Sequence, residues 1–135
     1  MFALTSDPID SRAVRAAVAR PEAGAVILFE GTTRDHHDGK HVLRLEYEAY
    51  AGMAEREMAR IGSEIRDRWP EARVAMVHRV GVVAVGEASV VIAVSAPHRD
   101  EAYSASRFGI DALKASVPVW KKEVYADGSV WKANQ

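Results

Sequence analysis

The chain has 135 residues, and residues 1–135 are expected to form a single domain with one hydrophobic core. Its content of 48% hydrophobic and 27% charged residues is that of an ordinary globular protein and excludes extensive disorder. A net charge of −1 provides no overall field for a nucleic-acid backbone. A phosphorylated ligand would therefore have to be bound by a local cluster of cations.

The sequence contains no cysteine, which excludes a disulfide framework, a thiolate metal site and a thiol nucleophile. Met1–Asp10 has neither the basic nor the apolar region of a signal peptide. The longest apolar run, Ala23–Phe29, is too short to span a bilayer. We therefore expect a cytoplasmic protein that binds neither membranes nor nucleic acid.

The first half of the chain predicts an N-terminal strand followed by a helix and two further strands. Ser6-Asp7-Pro8 has the capping side chain and the first-turn proline of a helix start. Gly24–Phe29 is a short β-branched run, typical of a buried strand. Val42–Tyr50 alternates between apolar and polar residues, which predicts a second strand. Thr32–His41, between the strands, is expected to be a flexible polar loop with a turn at Asp38-Gly39.

The second half predicts two longer helices and three strands. Met53–Trp69 and Asp100–Ala115 have helical apolar spacing. Arg73–Arg79, Ala88–Ala96 and Val119–Val124 are predicted to be extended. The fold class that this order indicates is α+β, with about three helices packed on a mixed or mainly antiparallel sheet.

Polar residues concentrate at the ends of three predicted elements. Arg34 follows a strand, and His98-Arg99 opens a helix, where free amides favour an anion. Lys114 and Lys121 lie on either side of a reversal at Pro118, so their ammonium groups could converge. Each residue alone also has a structural explanation, such as the helix dipole for Lys114. Only the combination indicates a pocket for a phosphate-bearing ligand.

The histidines His36, His37 and His41 lie beside Asp35 and Asp38. Because they lack the i, i+4 spacing of a helical metal pair, we predict no metal site, and no cofactor is predicted elsewhere. Two rival hypotheses stay open, namely a metal-dependent hydrolase that uses this loop and a dimeric module that binds an anionic metabolite without converting it.

Five segments, in order, resemble the large, catalytic subunit of molybdopterin synthase. The matching segments are Phe29–Arg34, Leu45–Tyr50 with Met53, His78–Gly81 with Gly86-Glu87, Ser95–Arg99, and Asp111–Lys114 with Pro118–Glu123 and Trp131. The resemblance implies a sulfurtransferase that converts cyclic pyranopterin monophosphate, a pterin phosphate, into molybdopterin during molybdenum cofactor biosynthesis. It also implies a small ubiquitin-like partner that brings sulfur as a C-terminal Gly-Gly thiocarboxylate, and a heterotetramer built on a homodimer of large subunits.

The resemblance further implies which residues form the site. The catalytic residues would be Lys114 and Lys121. The substrate-binding residues would be Thr32, Thr33, Arg34, His98, Arg99, Lys114, Lys121, Lys122 and Glu123. The absence of cysteine fits this function, because the partner and not this chain would carry the sulfur.

Overall fold

A computed structural model describes residues 1–134, which form three helices and nine strands. The helices are α1 (Ser11–Ala16), α2 (Met53–Arg68) and α3 (Arg99–Ser116). The strands are β1 (Phe2–Thr5), β2 (Ala25–Thr32), β3 (His36–His37), β4 (Lys40–Ala49), β5 (Arg73–Arg79), β6 (Gly81–Ala84), β7 (Ala88–Ala96), β8 (Val119–Tyr125) and β9 (Val130–Asn134). No helix in this part of the chain has the length and apolar character needed to cross a membrane.

The strands form two sheets, and the predicted α+β class is confirmed. The first sheet has the order β1-β5-β7-β2, in which only β1 and β5 are parallel. The second has the order β3-β4-β8-β9, with β6 paired to part of β4. The sequence indicated one sheet, because alternation within a strand does not reveal which strands pair.

The first sheet is covered on both faces. Met76 and Ile92 pack on one face against α2 and α3, which contribute Met58 and Leu113 to the same core. The opposite face packs against α1 through Val14. Burial on both faces explains why β7 is a nearly continuous apolar run rather than an alternating one.

Two local predictions in the first half were wrong. Helix α1 begins after Asp10, whose carboxylate accepts hydrogen bonds from the amides of Arg12 and Ala13 at 3.1 and 3.2 Å. It does not begin at residues 6–8, because β1 extends to Thr5 and the chain needs the following residues to turn. The expected flexible loop is a hairpin of β3 and β4 around the predicted turn Asp38-Gly39. Both turn residues have positive φ, 50° and 75°, as a two-residue hairpin turn of this kind requires.

Strand β4 departs from simple alternation at its start. Its pairing with β8 shifts register between Val42 and Arg44, so Val42 is buried while Leu43 is 49% exposed. Leu45 and Tyr47 then face inward as the pattern predicted. The bulge aims the two inward side chains at the space where the functional residues lie.

The start of β2 passes very close to the segment that leads into α3. A Cβ atom at Gly24 would overlap the carbonyl oxygen of Pro97, which is backbone and cannot rotate away. We therefore expect Gly24→Ala to lower the free energy of unfolding by about 1–3 kcal/mol, measured by urea unfolding. Glu22→Ala, at a nearby exposed position, is the control and should change it by no more than about 0.5 kcal/mol. Equal stability of the two variants would contradict this close approach.

Candidate functional site

A cavity of about 150 Å³ opens where the two sheets meet the C-terminal end of α3. Thr32 and Arg34 reach it from the end of β2 and the segment after it, and Lys114 from the last turn of α3. Lys121 and Glu123 line it from β8. The structure thus brings together five of the residues that the resemblance implied.

The chain between α3 and β8 explains how the two lysines converge. Helix α3 ends at Ser116, and the amide of Val117 still donates to the carbonyl of Leu113 at 3.0 Å. Strand β8 begins at Val119, directly after Pro118. Alternation along β8 then places Lys121 on the same face as Glu123, opposite Tyr47 and Leu45 of β4.

The carboxylate of Glu123 is the most strongly bonded group of the cavity. Glu123 is only 5% exposed, and its Oε1 lies 3.5 Å from the ammonium of Lys121. Its Oε2 accepts a hydrogen bond from the Tyr125 hydroxyl at 2.5 Å and lies 2.7 Å from Nδ1 of His37. Burial raises the pKa of this carboxyl, but the bonds from Tyr125 and His37 and the charge of Lys121 outweigh it, so the pKa is below its ordinary value. Glu123 is therefore ionised at neutral pH.

Two neutral aromatic side chains, Tyr47 and His78, lie near the lysines. His78 is fully buried, and its Nδ1 donates to the carbonyl of Arg79 at 2.7 Å. Burial, aided by the charge of Lys114, lowers the pKa of His78 to about 4 despite that bond. The ring of Tyr47 meets that of His78 edge-on, with centroids 5.0 Å apart, and burial raises the pKa of its hydroxyl. Both rings are therefore uncharged at neutral pH.

Four residues in or near the site were not predicted to form it, namely His37, Tyr47, His78 and Tyr125. His78 belongs to a segment that carried the family resemblance, and Tyr47 to another, so the sequence contained a signal for both. The contact between His37 and Glu123 spans 86 positions and had no sequence signal.

His98 and Arg99 do not reach the cavity within one chain. They lie exposed at the first residues of α3, whereas Lys114 lies in its last turn. At about 1.5 Å of rise per residue, the helix separates Arg99 from Lys114 by roughly 22 Å. Their role in substrate binding stays a prediction.

Thr33 and Lys122 do not line the cavity either. Thr33 is 4% exposed, and its amide donates to the carbonyl of Glu87 at 3.0 Å. Lys122 alternates with Lys121 along β8 and lies on the opposite face, beside Trp120. A direct contact of either side chain with a ligand in the cavity stays a prediction.

The hairpin of β3 and β4, called the histidine hairpin because it carries His36, His37 and His41, gives His36 and His37 different partners. His36 pairs with the exposed Asp35 at 2.8 Å, while His37 turns toward Glu123. Within residues 1–134, no three His, Asp or Glu side chains are grouped as metal ligands. This geometry gives the hypothesis of a metal-dependent hydrolase no support.

These features define a class of protein: an α+β domain in which lysine and arginine side chains surround a buried carboxylate in a small cavity. Such a site suits an anionic substrate and the movement of protons by lysine. The family model described as MoaE protein matches residues 4–116. The chain therefore belongs to the MoaE family, as its sequence motifs indicated.

Individual relatives agree with this assignment. The molybdopterin synthase catalytic subunit of Halalkalibacterium halodurans is 49% identical over 134 residues, covering 99% of this chain and 86% of the relative. The crystal structure of molybdopterin synthase from Staphylococcus aureus superposes with a TM-score of 0.95 at 38% identity, covering 99% of this chain and 97% of that one. A complex of subunits 1 and 2 of the molybdopterin-converting factor from Helicobacter pylori shares the fold, with a TM-score of 0.78 at 18% identity, covering 100% of this chain and 92% of that one.

The buried His78 makes stability depend on pH. As pH falls, the unfolded imidazole takes up a proton near 6.5, but the folded one does so only near 4. Between these values the unfolded state binds more protons, so stability falls with falling pH. We expect wild-type protein to lose on the order of 3 kcal/mol more than His78→Leu between about pH 7 and 4, measured by urea unfolding at each pH. Parallel curves for the two proteins would contradict a buried neutral imidazole.

Proposed function

We propose that this chain is the catalytic subunit of a molybdopterin synthase, which inserts the dithiolene sulfurs of molybdopterin into cyclic pyranopterin monophosphate. The observation that carries the proposal is the convergence of Lys114, Lys121 and Arg34 on one cavity around ionised Glu123. The membership of the chain in the MoaE family supports the reaction.

The two lysines differ in their surroundings, and this suggests different roles. Lys121 faces the carboxylate of Glu123 at 3.5 Å, an opposite charge within ion-pair distance. Lys121 is therefore assigned to stabilising the oxyanion that develops when sulfur displaces oxygen. Lys114 lies near neutral His78 and forms no ion pair within residues 1–134. It is assigned to moving a proton to or from the substrate.

Arg34 lies exposed at the mouth of the cavity. Its guanidinium is suited to binding the phosphate of the substrate through two parallel hydrogen bonds. Thr32, beside it at the end of β2, offers a hydroxyl to the same group.

The sulfur must come from outside this chain, because the sequence has no cysteine to hold it. We propose a small ubiquitin-like partner whose C-terminal Gly-Gly thiocarboxylate enters the cavity. The Helicobacter pylori structure with the same fold, a complex of two different subunits, supports a partner of this kind. The reaction would take place in the cytoplasm, where a thiocarboxylate is kept reduced.

A second copy of the chain would explain the position of His98 and Arg99. The length of α3 keeps both from the cavity of their own chain. In the proposed homodimer at the core of a heterotetramer, they would reach the cavity of the other copy and bind the substrate phosphate there.

The test is single-turnover formation of molybdopterin from the pyranopterin precursor and the thiocarboxylated partner. We expect Lys114→Ala and Lys121→Ala each to lower the rate by roughly 10²–10⁴-fold, because each removes a group that acts on the reacting atoms. Lys114→Arg should not restore the rate, since arginine cannot release a proton, whereas Lys121→Arg should restore part of it.

Arg66→Ala, an exposed change on α2, is the control and should keep the wild-type rate. Melting temperatures separate lost catalysis from lost folding. Near-native rates in both alanine variants would contradict the catalytic assignment. If Lys114→Arg and Lys121→Arg both bind substrate normally and both keep the wild-type rate, the lysines have a purely electrostatic role.

The proposed sharing of residues between copies has its own test. Arg99→Ala should weaken precursor binding by about 1.5–3 kcal/mol, the range for a hydrogen bond to a charged group.

The mixed-dimer test uses Arg99→Ala and Lys121→Ala chains that are unfolded and refolded together. Each mixed dimer should contain one intact cavity, so the mixture should recover about a quarter of wild-type activity. No recovery in the mixture would show that both residues serve the cavity of one chain.

A further inference from the structure

His37 lies at the edge of the cavity, in the first strand of the histidine hairpin. Its side chain is 26% exposed, and its ring centroid lies 5.2 Å from that of Trp131 on β9. The ring is thus held between β9 and the carboxylate of Glu123, which its Nδ1 approaches to 2.7 Å. A side chain packed on one side and hydrogen-bonded on the other has one preferred orientation.

The two oxygens of Glu123 have separate partners. Oε1 faces the ammonium of Lys121 at 3.5 Å. Oε2 accepts from Tyr125 at 2.5 Å and from His37 at 2.7 Å. Because both donors bind the same oxygen from different strands, they fix the rotation of the carboxylate and leave the other oxygen directed at Lys121.

The hydrogen bond between His37 and Glu123 determines which nitrogen of the His37 imidazole carries a proton. An ionised carboxylate only accepts, so Nδ1 of His37 must carry a proton. Nε2 lies 3.6 Å from the exposed carboxylate of Asp38. His37 therefore donates to Glu123 in both its neutral and its charged form.

We propose, on the basis of the function proposed above, that His37 is a positioning residue of the site, which orients the carboxylate of Glu123 and through it the ammonium of Lys121. His37 touches neither substrate nor reacting atoms in this role. It completes a chain of contacts from the hairpin through the buried carboxylate to the lysine.

The state of Glu123 depends on every charged or titratable group that faces it or lines the same cavity. These groups are His36 and His37 of β3, Tyr47 of β4, Lys121 and Tyr125 of β8, Lys114 of α3, and Arg34 at the cavity mouth. Among them, His37 and Tyr125 donate hydrogen bonds that lower the pKa of the Glu123 carboxyl. Removal of His37 should therefore raise that pKa. Activity that needs ionised Glu123 is lost as pH falls through this pKa, so its acid limb should move to higher pH.

Three variants isolate the hydrogen bond. His37→Leu removes the donor, whereas His37→Asn places an amide N–H close to the position of Nδ1. His41→Leu, the same change at an exposed position of the same hairpin, is the control. We expect His37→Leu to lower kcat by roughly 10- to 100-fold, as small misplacements of catalytic groups do, with little change in KM. The acid limb of its kcat profile should move to higher pH, and His37→Asn should recover most of the rate.

A second measurement does not depend on activity. Titration of the Glu123 carboxyl carbon by NMR in the free protein should give a higher pKa in His37→Leu than in wild type or His41→Leu. An unchanged titration, or a kcat profile of His37→Leu equal to that of His41→Leu, would overturn the proposal. If wild-type protein forms no molybdopterin, the proposed function fails, and the titration alone decides whether His37 holds Glu123.

Discussion

The buried, ionised carboxylate of Glu123 constrains the rest of the site. A charge out of contact with water costs several kcal/mol unless other groups supply the hydrogen bonds and opposite charge that water would give. Here Tyr125 and His37 supply the hydrogen bonds, and Lys121 supplies the charge. These partners come from two strands, so the hairpin of β3 and β4 must close over β8 for the carboxylate to be satisfied. The ionic group thus links the arrangement of the second sheet to the position of the lysine.

The cationic side chains of the cavity have neutral aromatic neighbours. Lys114, Lys121 and Arg34 provide the positive charge, while burial keeps His78 and Tyr47 uncharged at neutral pH. A positive charge on His78 would repel the nearby ammonium of Lys114, whereas the neutral ring does not. The chain as a whole has a net charge of −1, so the proposed affinity for an anion rests on this local arrangement alone.

The sequence predicted those features that depend on neighbouring residues. Short apolar runs between turns predicted the bounds of β5 and β7, and helical spacing predicted the bounds of α2 and α3. The predicted and observed bounds agree to within about one residue. The reversal at Pro118 likewise made it possible to predict that Lys114 and Lys121 approach one another. The contact of His37 with Glu123 depends on how β3 and β8 are placed around β4, which alternation does not encode. For the same reason the histidine hairpin was interpreted as a loop.

Helix α3 shows why a list of functional residues does not by itself describe a site. His98 and Arg99 lie at the start of the helix and Lys114 lies in its last turn. Roughly 22 Å of helix therefore separates them. Its buried face, which includes Ala105 and Leu113, packs against the core and prevents the helix from bending to bring its ends together. One ligand can therefore contact both ends only if they come from different copies of the chain. Under that arrangement the helix is the spacer that makes association of two copies a condition for a complete site.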